Sequence, residues 1–522
     1  MSHGDKKLKA DTLMQSVSFA IAIALVCRLL GFGRGIVLGR ALDAVELGRW
    51  ALLTNAVEIA AFGLLLGIPA GLSRYVGRHQ EQGTLGPFLR HVALLLGTLT
   101  VVALGVGLAF PEFVGHLLFG ETSELSLVWL AMGAIGATVA FSVVQGILYG
   151  LRLLRLNSVL EFLKNFGFLA VLGLLIIFWR DDVYAAGFAH LAMTLAATLA
   201  ISGFVILRLR SGPAVEPSSS KPPLSNGIWL LFFFSLGSWS FGSLQRMCRG
   251  LDRYMLLHFG NVEADEALRQ IGDYFLTMKI CEPLGLLAGA LSCALLPHAA
   301  RQYESGERGE LARRLILTAK VTMLAMLGGG CALLFTKSLA FSILLGHEPA
   351  TASFALAPVL ISIIVLAYHS IIRTHLLCAE LVWRVAAIWL LALVLNAGLN
   401  FYLVPQYQLY GAVLATMISS FVVLVTLLII SYRSGLPVDR GTMLLAVAPA
   451  VLLLPAWLAA LVTLILFGLA ARTPLILSAE ERSRTLEWFV NRFGDTAPAR
   501  LATRTLRSWG AKLRTGERKA TP

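Results

Sequence analysis

The sequence predicts an all-α polytopic membrane protein built from two six-helix bundles. Three observations carry that expectation. The chain has 522 residues, 57% hydrophobic and only 14% charged, whereas soluble domains carry ~25% charge. Its apolar residues come in runs that match the roughly 20 residues a helix needs to cross a bilayer. And a stretch of the first half, LGRWALLTNAVEIAAFGLLLG, can be laid on IGDYFLTMKICEPLGLLAGAL of the second. Gly48 then meets Gly272, Trp50 meets Tyr274, Leu52 meets Leu276 and Glu58 meets Glu282. An even number of spans separates the copies, so they share one orientation, as in parallel repeats whose axis follows the membrane normal.

Twelve apolar runs begin near Leu13, Trp50, Phe88, Leu125, Leu156, Val183, Ile228, Ile271, Leu311, Phe354, Val382 and Leu409. The first exceeds a signal-peptide core and lacks a small-residue cleavage site. A further block from Met443 to Ala470 is long for one helix and short for two, with Pro449 and Pro455 as candidate breaks of a hairpin. That makes about fourteen transmembrane helices. The expected division is 1–207 and 228–435 for the two lobes, 208–227 for a Pro- and Ser-rich linker, 436–478 for the extra hairpin and 479–522 for a basic tail. The six cysteines lie in or beside apolar runs without CxxC spacing, which favours packing over a zinc site or disulfides.

Loop charge sets the sidedness. Even connections carry Arg74 and Arg78, Arg152 and Arg155, Arg208 and Lys221, Arg301 and Arg308, Arg373 and Arg384, and Arg433 and Arg440. Odd ones such as PEFVGHLLFGETSE carry none, though the first (Arg40, Arg49) and seventh (Arg249, Arg253) depart from this. By the positive-inside rule the even connections, the N-terminus (Lys6, Lys7, Lys9) and the basic C-terminal tail face the cytoplasm of an inner membrane. The same rule accounts for the net charge of +13 without nucleic acid as a partner.

Charges inside the runs point to function, because each costs several kcal/mol unless it faces water or a partner. Arg28 and Arg34 interrupt the first run, Arg246 and Arg253 follow the seventh, and Lys279 stands one turn before Glu282. Glu161 and Lys164 form a similar spacing in the fifth. Entering near Leu13, Arg28 is about 22 Å deep and Arg34 about 31 Å, pointing some 120° apart on a straight helix. Arg34 and Arg253 have the alternative of snorkelling to the outer interface. The set Arg28, Arg34, Lys279, Arg246 and Arg253 is expected to line a cationic cavity for a phosphate-bearing substrate, since guanidinium forks match phosphate oxygens. Glu58 and Glu282 would repel that cargo. They are left two roles, binding a coupling H⁺ or Na⁺ or holding the arginines. No P-loop, HExxH or GxSxG motif is present and no metal-ligand spacing occurs, so no enzyme activity and no metal or other cofactor is expected.

Beyond these physical readings, NAGLNFYLVPQYQLYGAVLATMISS resembles the late signature of the polysaccharide-transporter flippases. Asn396, Asn400, Pro405, Tyr407, Gly411, Ala412, Ala415 and Thr416 match it, while Gln408 stands where that family has glycine. IGDYFLTMKICEPL (Gly272, Tyr274, Lys279) and GLDRYMLLHFG (Asp252, Arg253) resemble two further elements, and CRLLGFGRG resembles the first helix of the related lipid II flippases. Both groups belong to the multidrug/oligosaccharidyl-lipid/polysaccharide exporter superfamily. The resemblance implies two six-helix lobes around a V-shaped cavity. It further implies translocation of an undecaprenyl-pyrophosphate-linked oligosaccharide in surface polysaccharide (O-antigen type) assembly, with membrane lipid, a polymerase and glycosyltransferases as partners. An H⁺- or Na⁺-coupled drug or metabolite antiporter shares the fold; an arginine-rich cavity disfavours cationic cargo. A membrane glycosyltransferase would need a sizeable acidic catalytic loop, which is absent.

Overall fold

The computed structural model describes residues 13–120, 124–210 and 224–493, and the regular structure among them is helix. The expected basic N-terminus, the centre of the linker and most of the basic tail lie outside the described residues. The first bundle comprises α1 (Leu13–Ala41), α2 (Ala44–Leu65), α3 (Ile68–Glu81), α4 (Leu85–Ala109), α5 (Pro111–Phe119), α6 (Leu125–Gly150), α7 (Leu154–Phe178) and α8 (Val183–Arg210). The second comprises α9 (Leu224–Phe259), α10 (Ala264–Glu304), α11 (Arg308–Leu345), α12 (Ala352–Cys378) and α13 (Val382–Arg433). Seven described helices are long and apolar enough to cross a membrane. They expose large apolar side chains such as Val101, Ile177, Leu199 and Val394, as a lipid-facing surface requires.

The repeat is visible in the order of elements. α1 corresponds to α9, α2 with α3 to α10, α4 with α5 to α11, α6 to α12, and α7 with α8 to α13. Where the first bundle breaks, the second runs on. Leu66 (φ 47°) and Gly67 (φ 71°) end α2, and Gly67 lets the backbone of Ser235 on α9 pass close by. α10 instead continues through Pro283 and Pro297. α13 is kinked at Gln408, whose φ of 51° and ψ of −130° suit glycine. That conformation costs of order 1–3 kcal/mol. The side chain compensates by accepting a hydrogen bond from Gln270 Nε2 at 3.0 Å.

The bundles meet where α2 crosses α10. A Cβ at Gly48 would stand 2.0 Å from the Leu268 carbonyl oxygen, and one at Gly272 would stand 2.0 Å from the Ala44 oxygen. The spacing that relates Gly48 to Gly272 also relates Ala44 to Leu268. The contact is therefore two-fold symmetric within one chain, and its axis passes between the two glycines. This end of the molecule is the crossing end; the opposite one, reached by α8 and α9 at the linker, is the linker end.

The C-terminal apolar block forms α14 (Arg440–Val447), a 3-10 segment to Leu453 and α15 (Ala456–Arg472). Of the two prolines expected to mark a hairpin, Pro455 stands at the break and Pro449 lies inside the 3-10 segment. α16 (Ala479–Phe493) follows and is clipped to the second bundle. Lys320 of α11, fully buried, bonds Asp439 at 2.6 Å and Glu481 of α16 at 3.0 Å. Asp439 also caps α14 through the Thr442 amide, and Arg484 reaches Glu310 at 2.8 Å. Burial raises the Asp439 carboxyl, but the hydrogen bonds from Lys320 and Thr442 outweigh it and hold it below its ordinary value.

Two outcomes are expected. Gly48→Ala and Gly272→Ala should lower the melting temperature in detergent, whereas Gly97→Ala, with nothing within 4 Å, should leave it unchanged or raise it, alanine being the better helix former. Glu481→Gln should destabilise by up to about 3 kcal/mol by weakening the pairing of a buried lysine. Because the Asp439 carboxyl is depressed, its contribution is complete above its ordinary pKa and fades as pH falls through the lower folded value. Thermal melts of wild type and Asp439→Ala should therefore keep their full separation above about pH 4 and draw together only as pH falls further.

Candidate functional site

The charged side chains of α1 diverge as their spacing requires. α1 runs unbroken through Gly31, Gly33 and Gly35. Arg28 Nη1 leaves its own bundle and donates to the Leu286 carbonyl of α10 at 2.9 Å. Arg34 stays within its bundle, its guanidinium 5.2 Å from the centre of the Phe168 ring. It does not snorkel. It lies within electrostatic reach of both repeat-related acids, Glu58 and Glu282.

Between the bundles, α2 and α10 present matched positions with unmatched chemistry. Lys279 Nζ pairs with Glu282 at 2.7 Å, the geometry their spacing predicts. Its stem lies across Gly35 of α1, where a Cβ would come within 2.9 Å of it. The repeat partner of Lys279 is Asn55, which lies across Gly250 of α9 and donates to its carbonyl at 3.2 Å. Each is thus seated on a glycine of the opposite bundle's first helix, one charged and one neutral.

α9 supplies the second set of cations. The sequence places Arg246, Arg249 and Arg253 after a span, but α9 runs on to Phe259 and holds all three inside it. Arg246 lies 3.8 Å from the centre of the Phe62 ring on α2. A cleft of about 320 Å³ opens there, lined by Phe62, Trp239, Ser243 and Arg246. Arg253 turns inward instead of snorkelling and donates to the Ala51 carbonyl of α2 at 3.5 Å.

Sequence reasoning missed three cations of the chamber. Lys164 does not close an ion pair on Glu161. Its ammonium stands 4.1 Å over Phe141, while Glu161 accepts from Gln145 at 2.7 Å. Both partners lie on α6, which no local spacing reveals. Arg249 is exposed between the bundles and within reach of Glu58. Arg373, read as a loop residue, lies inside α12 with its guanidinium 4.8 Å from Phe241. Asp182 is accounted for locally, since it accepts from the Tyr184 and Ala185 amides in the first turn of α8 and pairs with Arg180.

Another group unites motifs that the sequence left apart. Asp252, 2% exposed, accepts from Thr416 at 2.5 Å, Asn400 at 3.2 Å and Tyr274 at 3.4 Å. Asn396 donates to the same Thr416 hydroxyl at 3.1 Å, and Asn400 Oδ1 is buried without a partner. A carboxylate is thus held in the bundle by neutral hydrogen-bond donors and ringed by side-chain oxygens. That donor set suits a proton or a small monovalent cation.

A family model described as polysaccharide biosynthesis protein matches residues 13–300, and one described as lipid II flippase MurJ matches residues 279–478. No curated protein matches the chain in sequence. Among solved structures, one titled lipid II flippase MurJ in the inward closed conformation aligns with a TM-score of 0.66 at 14% identity, over 87% of this chain and 99% of that one. An inward-facing multidrug resistance MATE family transporter gives 0.61 at 14%, over 80% and 98%. A MOP superfamily transporter from Pyrococcus furiosus, titled as having a binding pocket of reverse polarity, gives 0.56 at 13%, over 81% and 94%. These likenesses give the chain the two-bundle fold of that transporter superfamily. Since the first model spans more than half of its residues, the chain belongs to the polysaccharide biosynthesis protein family.

Proposed function

We propose that the chain is a flippase that carries a lipid-linked oligosaccharide diphosphate across the cytoplasmic membrane by alternating access. The observation that carries this reading is the excess of cations on the helices that flank the interface between the bundles. Arg28, Arg34 and Lys164 come from the first bundle, and Arg246, Arg249, Arg253, Lys279 and Arg373 from the second, against the acids Glu58, Glu161 and Glu282. A drug antiporter for cationic cargo would place the opposite sign there. Loop charge orients the molecule, with the linker end and both termini in the cytoplasm and the crossing end outward. Glycosyltransferases would supply the cargo and a polymerase would receive it. Glu58 and Glu282 then hold the cations apart and in place, and Asp252 is the group best built to take a coupling H⁺ or Na⁺.

In proteoliposomes, Arg34→Ala and Lys279→Ala should each slow translocation of a fluorescent undecaprenyl-diphosphate glycolipid by about 10- to 100-fold, the worth of one charged hydrogen bond, with insertion unaffected. Transport of a cationic dye at the wild-type rate by both variants, with no glycolipid flux in the parent, would instead select the antiporter. Asp252→Asn should retain the fold and abolish any dependence of flux on Na⁺ or pH; an unchanged dependence would remove Asp252 from coupling.

A further inference from the structure

Arg40 is one of the arginines by which the first connection departs from the charge pattern of the outward loops. The structure gives it a partner. It is the next-to-last residue of α1, and it crosses to the second bundle. There it donates to two carbonyls at the end of α11, Leu344 through Nε at 2.9 Å and Ile343 through Nη2 at 2.6 Å. His258, the next-to-last residue of α9, crosses the other way. Its Nε2 lies 3.0 Å from the Leu117 carbonyl near the end of α5. A carbonyl only accepts, so Nε2 carries the proton and donates.

The two acceptors occupy the same place in their bundles. α5 and α11 each end on a glycine with positive φ, Gly120 at 67° and Gly346 at 84°. Each glycine amide bonds the carbonyl four residues back, that of His116 or of Ser342. The next carbonyl, Leu117 or Ile343, belongs to the last turn, whose C=O groups have no partner within the helix. These groups carry the negative end of the helix dipole, which suits a cation or an N–H donor. In both bundles that donor comes from the first helix of the opposite bundle. The two caps are alike in place and role rather than in strength, since Arg40 makes two bonds and His258 one. Apolar packing backs each. A Cβ at Gly39 would stand 2.7 Å from the side chains of Leu276 and Leu345, and one at Gly120 would stand 3.2 Å from Leu257.

We propose that Arg40 and His258 are the closing residues of the outer gate, each sealing the crossing end by capping the third helix of the opposite bundle. The proposal rests on the alternating-access reading. α1 and α5 belong to one bundle, α9 and α11 to the other, so neither cap survives separation of the bundles at this end. The repeat axis that exchanges α1 with α9 and α5 with α11 sets the caps on opposite sides of the Gly48–Gly272 contact. They add directional bonds to a crossing made by close packing. Both caps are exposed, so water takes over the freed donors and carbonyls when the gate opens, and the net cost of each exchange is small. A contact made in one state alone biases the exchange between states by its own net strength.

The test uses the full chain in nanodiscs, with native cysteines replaced and nitroxide labels at Asp181→Cys and Gln406→Cys. These are exposed positions at the crossing end, one in each bundle. Distances are read by pulsed electron resonance with no cargo added. Arg40→Ala should raise the ratio of outward-open to outward-closed molecules about tenfold and His258→Ala about threefold, the worth of a charged and of a neutral hydrogen bond, and the double variant by about the product. Arg40→Lys and His258→Gln keep an N–H donor and should bring the ratio back toward wild type. Arg40→Met and His258→Phe keep the bulk without the donor and should not; these four variants decide the matter if an alanine variant folds poorly. Distances indistinguishable from wild type in the donor-less variants, or a shift that the donor-keeping variants leave in place, would overturn the gate. Because no cargo is present, a failed glycolipid flux assay would change the cargo class and leave this result standing.

Discussion

Two helix backbones touch at Gly48 and Gly272, and the internal symmetry of the chain hangs on that contact. Where two helices approach until a Cβ has no room, glycine is the residue that fits. Fixing α2 and α10 at one crossing places every later pair along them in register. Asn55 faces the opposite bundle as Lys279 does, Glu58 as Glu282 does, and Phe62 as Leu286 does. A repeat that is only faintly legible as sequence becomes, through one close approach, a set of matched positions on either side of an axis.

The matches matter most where they fail. A fully symmetric chamber would treat both walls alike. Here one member of a pair is Lys279 and the other Asn55, and the buried Asp252 has its network in the second bundle alone. The cations are shared between the walls, while the candidate coupling group is not. This arrangement lets two lobes of common design divide the labour of holding an anion and sensing an ion.

Much of the fold could be read from the chain because bilayer crossing leaves a coarse signal. Run length gave the helices, and the alignment of Gly48 with Gly272 gave the repeat. The site was legible only in part. Arg28, Arg34 and Lys279 stood out as charges in apolar surroundings, and Lys279–Glu282 is a local pair that spacing predicts. Lys164 was misread because its neighbour in sequence, Glu161, offered a partner, whereas its actual partner, the Phe141 ring, is on another helix. Arg249 and Arg373 were assigned to connections because charge shortens an apparent span; the helices run through them. The Asp252 network was invisible for the same reason that it is interesting: its members are scattered from α9 to α13 and only the fold gathers them.

The Lys320 clip ties the order of synthesis to the order of folding. Lys320 enters the second bundle with α11, yet one of its two carboxylates, Glu481, lies 161 residues later in the chain. While the ribosome makes the intervening helices, that buried ammonium lacks part of its final neutralisation. The second bundle can therefore reach its final packing only after α16 has emerged and docked. A chain cut short before Glu481 would carry every apolar segment and still leave a buried lysine without one of its two carboxylates.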